Sequence, residues 1–172
     1  MPLQINPMKK ILLLGFVASA FSMVIISCTK EQAKLQGPND AQMFAMATQL
    51  SDRYYYQNDS VNLITPAPAQ GNFHGPYKLR YNHIVKEQLG GDGKLPIGVT
   101  LHDSALIVKV TYSGNVINGY AMMFKLNQGW NWGWYGTSAA NINLSVTANP
   151  SLCTSCHAGS GNRDQTLTFT YH

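Results

Sequence analysis

Over residues 105–112, large side chains recur at every second position with the two-residue period of a β-strand: Leu106, Val108, Val110 and Tyr112 alternate with Ala105, Ile107, Lys109 and Thr111. Gly114-Asn115 is a favoured two-residue hairpin turn, so a returning strand is predicted over residues 116–126. A three-residue turn over 127–129 then leads into a third strand over 130–135. The pattern therefore predicts an antiparallel β-meander.

The two turns determine which side chains meet across this meander: Lys109 is predicted to face Tyr120, and Phe124 to face Trp132. One face of the sheet then carries Lys109, Tyr120, Met122, Phe124, Trp132 and Trp134. The opposite face carries the apolar residues Val108, Val110, Ala121 and Met123. Because both faces are largely apolar, other parts of the protein must cover both.

An amphipathic helix is predicted upstream of the meander. Asn39 can cap its N-terminus, with Gln42 at the third helical position as in a capping box. Apolar residues follow at spacings of three and four, which places them on one helical face: Met43, Met46, Ala47, Leu50 and Tyr54. We expect this helix to cover one face of the sheet.

The N-terminus has the pattern of a bacterial lipoprotein signal peptide. Lys9-Lys10 precedes an apolar run over residues 11–26, which is shorter than the roughly 20 residues that span a bilayer. The run leads into Ser27-Cys28, as in a lipobox. We therefore predict a signal peptide over residues 1–27, lipidation of Cys28, and a polar tether over residues 28–38.

Length and charge predict one domain, over residues 39–172, and give no indication of nucleic-acid binding. Removing residues 1–27 from the 172-residue chain leaves 145 residues, enough for a modest core. The net charge of +4 falls to +2, because two lysines leave with the signal peptide. The cysteines that remain besides Cys28 are Cys153 and Cys156.

These two cysteines lie in Cys153-Thr154-Ser155-Cys156-His157, the Cys-x-x-Cys-His attachment signature of c-type haem. In that chemistry, both thiols add to haem vinyl groups and the imidazole of His157 ligates the iron. A structural zinc site needs about four ligands, and no second cysteine pair is present. A thioredoxin-like motif should open a helix, whereas residues 158–162 are poor helix formers. A plain disulfide is an alternative that leaves His157 without a role.

The other iron-ligand candidates have simpler interpretations. The methionines of the predicted helix are interpreted as core residues, and His74 and His83 as surface or capping residues. No methionine follows His157, unlike in ordinary soluble cytochromes c, whose methionine ligand lies well after the haem motif. We therefore expect one covalent haem c with His157 as its strong protein ligand and an open distal side.

The order of these features resembles the cytochrome P-460 family, which includes the cytochromes c′-beta. The resemblance covers roughly residues 77–171 and depends on Ile107-Val108-Lys109, Tyr120-Ala121-Met122-Met123, a Trp-rich third strand, the haem motif and Asp164. It implies a mostly antiparallel β fold around a high-spin haem, with His157 proximal. It also implies that Lys109 matches the lysine that is bonded to the macrocycle in cytochrome P-460 proper.

Two functions from different classes follow from these residues. Family members that oxidise hydroxylamine use a distal carboxylate, and this chain has no Asp or Glu between Lys109 and Cys153. We therefore expect an exported cytochrome that binds nitric oxide or carbon monoxide, or transfers electrons to a redox partner protein. The alternative is a haem oxidoreductase acting on hydroxylamine or nitric oxide. Either would be located in the bacterial cell envelope, on the membrane through its lipid anchor.

The expected architecture is an α+β domain with a mostly antiparallel sheet, an N-terminal amphipathic helix on one face and haem on the other. Besides the motif, the residues expected to contact the haem are Lys109, Met122, Phe124, Trp132 and Arg163. The Arg163 guanidinium, next to Asp164, is expected to pair with a haem propionate. A solvated loop pair is the alternative for these two residues.

Overall fold

A six-stranded antiparallel sheet forms the centre of a computed structural model, which describes residues 36–49, 53–56, 61–65 and 74–167. The strands are β1 (Tyr54–Tyr55), β2 (Tyr77–Tyr81), β3 (Leu106–Ser113), β4 (Val116–Leu126), β5 (Gly129–Tyr135) and β6 (Ile142–Ala148). Each pairs with its neighbours in sequence, so the sheet is a continuous meander. The prediction of a mostly antiparallel α+β fold is confirmed.

Three helices accompany the sheet in this part of the chain: α1 (Asp40–Thr48), α2 (His83–Gln88) and α3 (Ser151–His157). The side chain of Asn39 accepts a hydrogen bond from the backbone N–H of Gln42 at 2.9 Å, and the side chain of Gln42 accepts one in return from the backbone N–H of Asn39. Asn82 caps α2 by accepting from the backbone N–H of Val85. Polar residues therefore define where both short helices begin.

Helix α1 is shorter than the pattern of apolar residues predicts. It ends at Thr48, after which Gln49 adopts an extended conformation, and Tyr54 belongs to strand β1 instead of the helix. The predicted face therefore keeps Met43 and Ala47, both fully buried, and loses Tyr54. The predicted signal peptide, Cys28, most of the tether and Leu50 lie outside the described residues. No helix in the described part of the chain is long and apolar enough to span a membrane.

The predicted register between β3 and β4 is wrong by one residue. The Gly114-Asn115 turn is present, since Ser113 pairs with Val116, but the register shifts between Thr111 and Tyr112. Thr111 pairs with Gly119 while Tyr112 pairs with Ile117, so Asn118 is the extra residue of a β-bulge. Lys109 consequently faces Ala121, and Tyr120 faces Val110.

The next turn is also shorter than predicted. Leu126 pairs directly with Gly129, which leaves Asn127 and Gln128 as a two-residue turn. Both have positive φ, 51° and 60°, as the primed turn that suits the twist of a hairpin requires. Phe124 therefore faces Asn131, and Trp132 faces Met123.

These two shifts decide which residues share a face of the sheet. One face, called here the helix face, packs against α1 with these buried residues: Met43, Ala47, Leu106, Val108, Val110, Met122 and Tyr135. Phe124 and Tyr120 pack against the same cluster. The predicted placement of Met122 and Phe124 beside the haem motif is therefore wrong, because one bulge moves alternate side chains to the other side.

The opposite face, called here the motif face, holds the second core cluster. Its buried residues include Leu79, Tyr81, Ile107, Met123, Trp130 and Trp132, and Cys153 packs against them. Lys109 belongs to this face, since it lies between Leu79 of β2 and Ala121 of β4. The prediction that Lys109, Trp132 and Trp134 lie on the side of the haem motif agrees with this arrangement.

Candidate haem-attachment site

The haem motif lies on helix α3, which was not predicted from the sequence. Pro150 precedes the helix, and its carbonyl oxygen accepts hydrogen bonds from the backbone N–H groups of Cys153 and Thr154. Both cysteines are free thiols; Cys153 is half-buried and Cys156 is exposed. Residues three and four apart share a side of a helix, so Cys153, Cys156 and His157 project in the same general direction.

His157 is buried, with 9% of its surface exposed, and its ring has a defined partner. Nδ1 lies 2.7 Å from the backbone carbonyl oxygen of Gln165. Because a carbonyl oxygen only accepts, Nδ1 carries the proton and Nε2 keeps its lone pair. Desolvation by burial lowers the pKa of His157 to about 4; the Gln165 carbonyl opposes this shift and the charge of Lys109 adds to it. The imidazole is therefore neutral and can offer Nε2 to a metal.

Trp132 supports the imidazole from the sheet. The two ring centroids are 4.6 Å apart, with the planes at 83° in an edge-on contact. The indole Nε1 is buried and has no hydrogen-bond partner among the described residues. A buried donor without a partner is costly, so a water molecule or a bound group is needed to accept from it.

Lys109 brings an amine to the same face. Its Nζ lies 4.6 Å from the centroid of the Tyr77 ring, a cation–π contact. Desolvation lowers the pKa of Lys109 to about 8, and the Cys156 thiol partly opposes that shift. The side chain is nevertheless half-buried, not sealed from solvent. No carboxylate of the described residues forms a salt bridge with it; Asp164 pairs with Lys125.

The interpretation of His74 as a surface or capping residue is wrong. It is partly buried, and its ring contacts Trp134 edge-on, with centroids 5.5 Å apart. Burial lowers the pKa of His74 to about 3, with further contributions from the charges of Lys109 and His157. His74, Lys109 and His157 therefore share one electrostatic environment. The surface interpretation does fit His83, which is exposed.

A buried ion pair joins the segment after the motif to the sheet. The Lys125 side chain is 2% exposed, and its Nζ lies 2.7 Å and 2.9 Å from the two carboxylate oxygens of Asp164. Lys125 was not predicted to belong to the site, although it follows Met123 by two residues and therefore shares its side of the strand. Asp164 is thus engaged within the protein. The neighbouring Arg163 is half-buried, and its Nε donates to the carbonyl oxygen of Leu95 at 2.8 Å.

The residues present fit a covalently attached haem. Helix α3 supplies two free thiols and a neutral imidazole whose Nε2 is available. The adjoining face is apolar, and the ring of Trp132, whose N–H has no partner among the described residues, lies against the imidazole. Within the described ranges, no group of three or more His, Cys, Asp or Glu residues is arranged to hold a metal ion directly.

Comparisons with family models, with curated proteins and with solved structures found no match to this chain. The likeness to cytochrome P-460 therefore depends on the residues described above.

Proposed function

We propose that this protein is an exported monohaem c-type cytochrome in which Cys153 and Cys156 carry the haem and His157 ligates its iron. The observation that carries the proposal is the buried imidazole directly after the cysteine pair, with Nδ1 fixed by the Gln165 carbonyl at 2.7 Å. That hydrogen bond selects the tautomer in which Nε2 is the metal ligand. Each thioether would form by addition of S–H across a vinyl C=C bond, with no net oxidation or reduction.

The positions of two further residues support membership of the cytochrome P-460 and c′-beta family. Lys109 and Asp164, which the resemblance singles out, both lie on the side of the sheet that carries the motif. Lys109 and Trp134 lie on either side of Ala121 across three neighbouring strands, since both pair with it. The haem is accordingly proposed to cover part of the motif face, with Lys109 and Trp132 as contacts.

The proposed activity is binding of a small ligand such as nitric oxide, or electron transfer, in preference to hydroxylamine oxidation. Oxidising hydroxylamine requires a base within hydrogen-bond reach of the substrate. The Asp164 carboxylate already bonds Lys125 and the backbone N–H of Leu101. His74 has a nitrogen lone pair, but a pKa of about 3 makes it a weak base. The residues of this face therefore favour binding over proton abstraction.

Haem attachment can be tested by expressing the protein with a c-type maturation system. Wild-type protein should keep its colour after acid-acetone extraction, and the ferrous form should bind carbon monoxide with a clear spectral change. Cys153→Ser/Cys156→Ser should lose covalent haem, whereas Cys28→Ser should retain it, as a cysteine control outside the motif. Freely extractable haem in the wild type would refute the proposal.

The predicted signal peptide and Cys28 support a location in the bacterial cell envelope, with a lipid anchor as the attachment to the membrane. Cys28→Ala should release the protein domain from washed membranes, while wild type stays in the membrane fraction. A Cys28→Ala protein that remains membrane-bound and keeps its leader would show that the leader acts as an uncleaved anchor.

One observation favours the oxidoreductase alternative: Lys109 has a lowered pKa, and a neutral amine is the form that can bond to carbon. A lysine–macrocycle bond replaces one N–H and one C–H by C–N, so two electrons and two protons must pass to an oxidant such as peroxide. Mass spectrometry of the haem-bearing peptides tests for that bond directly. Hydroxylamine turnover that is present in wild type and absent in Lys109→Ala would support the oxidoreductase.

A further inference from the structure

The backbone carbonyl that holds His157 belongs to a segment with an unusual conformation. Asn162, Asp164 and Gln165 all have positive φ, at 58°, 48° and 61°. Non-glycine residues adopt this region at a cost, so surrounding contacts must keep the segment in place. The direction of the Gln165 carbonyl, and hence the hydrogen bond to His157, depends on those contacts.

Asp164 makes contacts to several elements at once. Its carboxylate accepts hydrogen bonds from Lys125 on β4 and from the backbone N–H of Leu101 at 2.9 Å. Its own carbonyl oxygen accepts from Nε1 of Trp130 on β5, also at 2.9 Å. The residue directly before the Gln165 carbonyl is therefore tied to two neighbouring strands and to the loop that precedes β3.

Lys125 is the least expected member of this set. Its ammonium is buried on the motif face and also lies 4.8 Å from the centroid of the Trp130 ring. A buried ammonium requires a charged partner with good geometry, and both oxygens of Asp164 provide it. An apolar residue would fill the same space at lower cost in desolvation. Packing alone therefore does not account for the ion pair.

We propose that the Lys125–Asp164 ion pair is a positioning device for the axial histidine: it fixes the carbonyl of Gln165 that holds Nδ1 of His157. This proposal rests on the proposed function, because it assigns a role to residues around the haem ligand. A hydrogen bond accepted from Nδ1–H makes the imidazole a stronger donor to a metal at Nε2. Lys125 and Asp164 would therefore tune the iron–histidine bond without touching the haem.

The expected effect has a definite direction. When the pair is broken, the segment over residues 162–165 loses its anchor, and the hydrogen bond from Nδ1 to the Gln165 carbonyl weakens. A less basic imidazole donates less charge to iron, which lowers the iron–histidine stretching frequency of the ferrous protein. It also favours the ferrous over the ferric form, so the reduction potential rises.

The test uses the haem-loaded protein in three variants: Lys125→Met, Asp164→Asn and the double variant. Resonance Raman spectroscopy gives the iron–histidine frequency, and a redox titration gives the potential. Because the pair acts as a unit, each single variant should lower the iron–histidine frequency by about as much as the double variant. The potential should rise in the double variant, where the opposite charges of Lys125 and Asp164 leave together. In the single variants the charge left behind also shifts the potential, downwards for Lys125→Met and upwards for Asp164→Asn. The double variant removes both charges together and leaves no buried charge without its partner, so it gives an answer even if a single variant does not fold.

Asp103→Asn is the matched control. The carboxylate of Asp103 accepts hydrogen bonds from the backbone N–H groups of Asn127 and Gln128 at 3.0 Å and 2.8 Å, at the β4–β5 turn. Its loss should reduce stability and leave both the frequency and the potential unchanged. Single variants that match this control would overturn the positioning role while leaving the haem assignment intact. A wild-type protein without covalent haem would overturn both proposals.

Discussion

The two faces of the sheet are both apolar, yet they bury different kinds of groups. The helix face is an ordinary core of methionine, valine and aromatic side chains packed against α1. The motif face combines a similar apolar cluster with ionisable residues: His74, Lys109, Lys125 and His157. Burying such groups costs stability unless they are paired. The difference indicates that the helix face supports the fold, whereas the motif face holds ionisable groups at a cost in stability.

The two faces also differ in how polar atoms near them are hydrogen-bonded. Next to the helix face, the Asp40 carboxylate accepts from the Tyr135 hydroxyl at 2.8 Å and from the backbone N–H of Val146 at 2.6 Å. These bonds tie the start of α1 to β5 and β6. On the motif face, the Trp132 N–H has no partner among the described residues. The Asp40 carboxylate is thus satisfied within the polypeptide, whereas the Trp132 N–H fits a bound group.

Met43→Ala should give the largest loss of stability, because it removes a fully buried side chain from the core of the helix face. It leaves the motif face unchanged. Met43 is fully buried, and truncation of a buried methionine costs about 2–5 kcal/mol in the free energy of unfolding. Urea unfolding followed by circular dichroism measures this loss. The absorption spectrum of the haem-loaded protein should not change. A shifted spectrum would mean that the two faces are not separate in function.

Acidification should lower the free energy of unfolding, because it protonates His74 on the motif face. The pKa of His74 falls from 6.5 to about 3 on folding, so the unfolded chain binds this proton more readily. The stabilisation is complete above pH 6.5 and is lost as pH falls from 6.5 towards 3. After a discount for partial exposure, we expect a loss of about 2 kcal/mol between pH 7 and pH 4 from this residue.

His74→Ala tests the assignment of that pH dependence. Its free energy of unfolding should change less between pH 7 and pH 4 than that of the wild type, by about 2 kcal/mol. His83→Ala removes an exposed histidine and is the control, which should follow the wild-type curve. Parallel curves for wild type and His74→Ala would show that His74 is not the group responsible.

The sequence predicted the elements of the sheet better than their registration. Strands β3 to β5 follow from periodicity and turn residues, and Asn39 is at the predicted cap. The bulge at Asn118 and the positive φ of Gln128 carry no strong local signal, and each moved the register by one residue. Strand β6 was missed, although Ile142, Leu144 and Val146 alternate with polar residues.

Only part of the candidate site could be predicted from the sequence. The motif and Lys109 are readable from local sequence and from the family resemblance. His74 and Lys125 are not, because their significance comes from contacts with residues 60 and 39 positions away, Trp134 and Asp164. Long-range pairing is set by the register of the whole sheet, which a period of two residues does not determine.

Gly119→Ala should test the bulge that assigns side chains to the two faces. A β-carbon at Gly119 would lie 2.5 Å from the carbonyl oxygen of Tyr135, so the backbones of β4 and β5 would have to separate. We expect a loss of about 1–3 kcal/mol in the free energy of unfolding. Gly114→Asn is the control, because asparagine suits its positive φ and nothing lies within 4 Å. Equal effects of the two changes would contradict the observed register.

Trp132→Phe should have the smallest effect on stability and the most informative effect on the site. The change keeps an aromatic ring beside His157 and removes the N–H that has no partner among the described residues. If the N–H donates to bound haem, its loss should shift the reduction potential of the loaded protein and lower its stability by about 1 kcal/mol. If the N–H is merely buried, phenylalanine relieves its desolvation penalty, so stability should hold or rise while the potential stays constant. Redox titration and urea unfolding of the same samples separate these cases, and the second result would remove Trp132 from the proposed haem contacts.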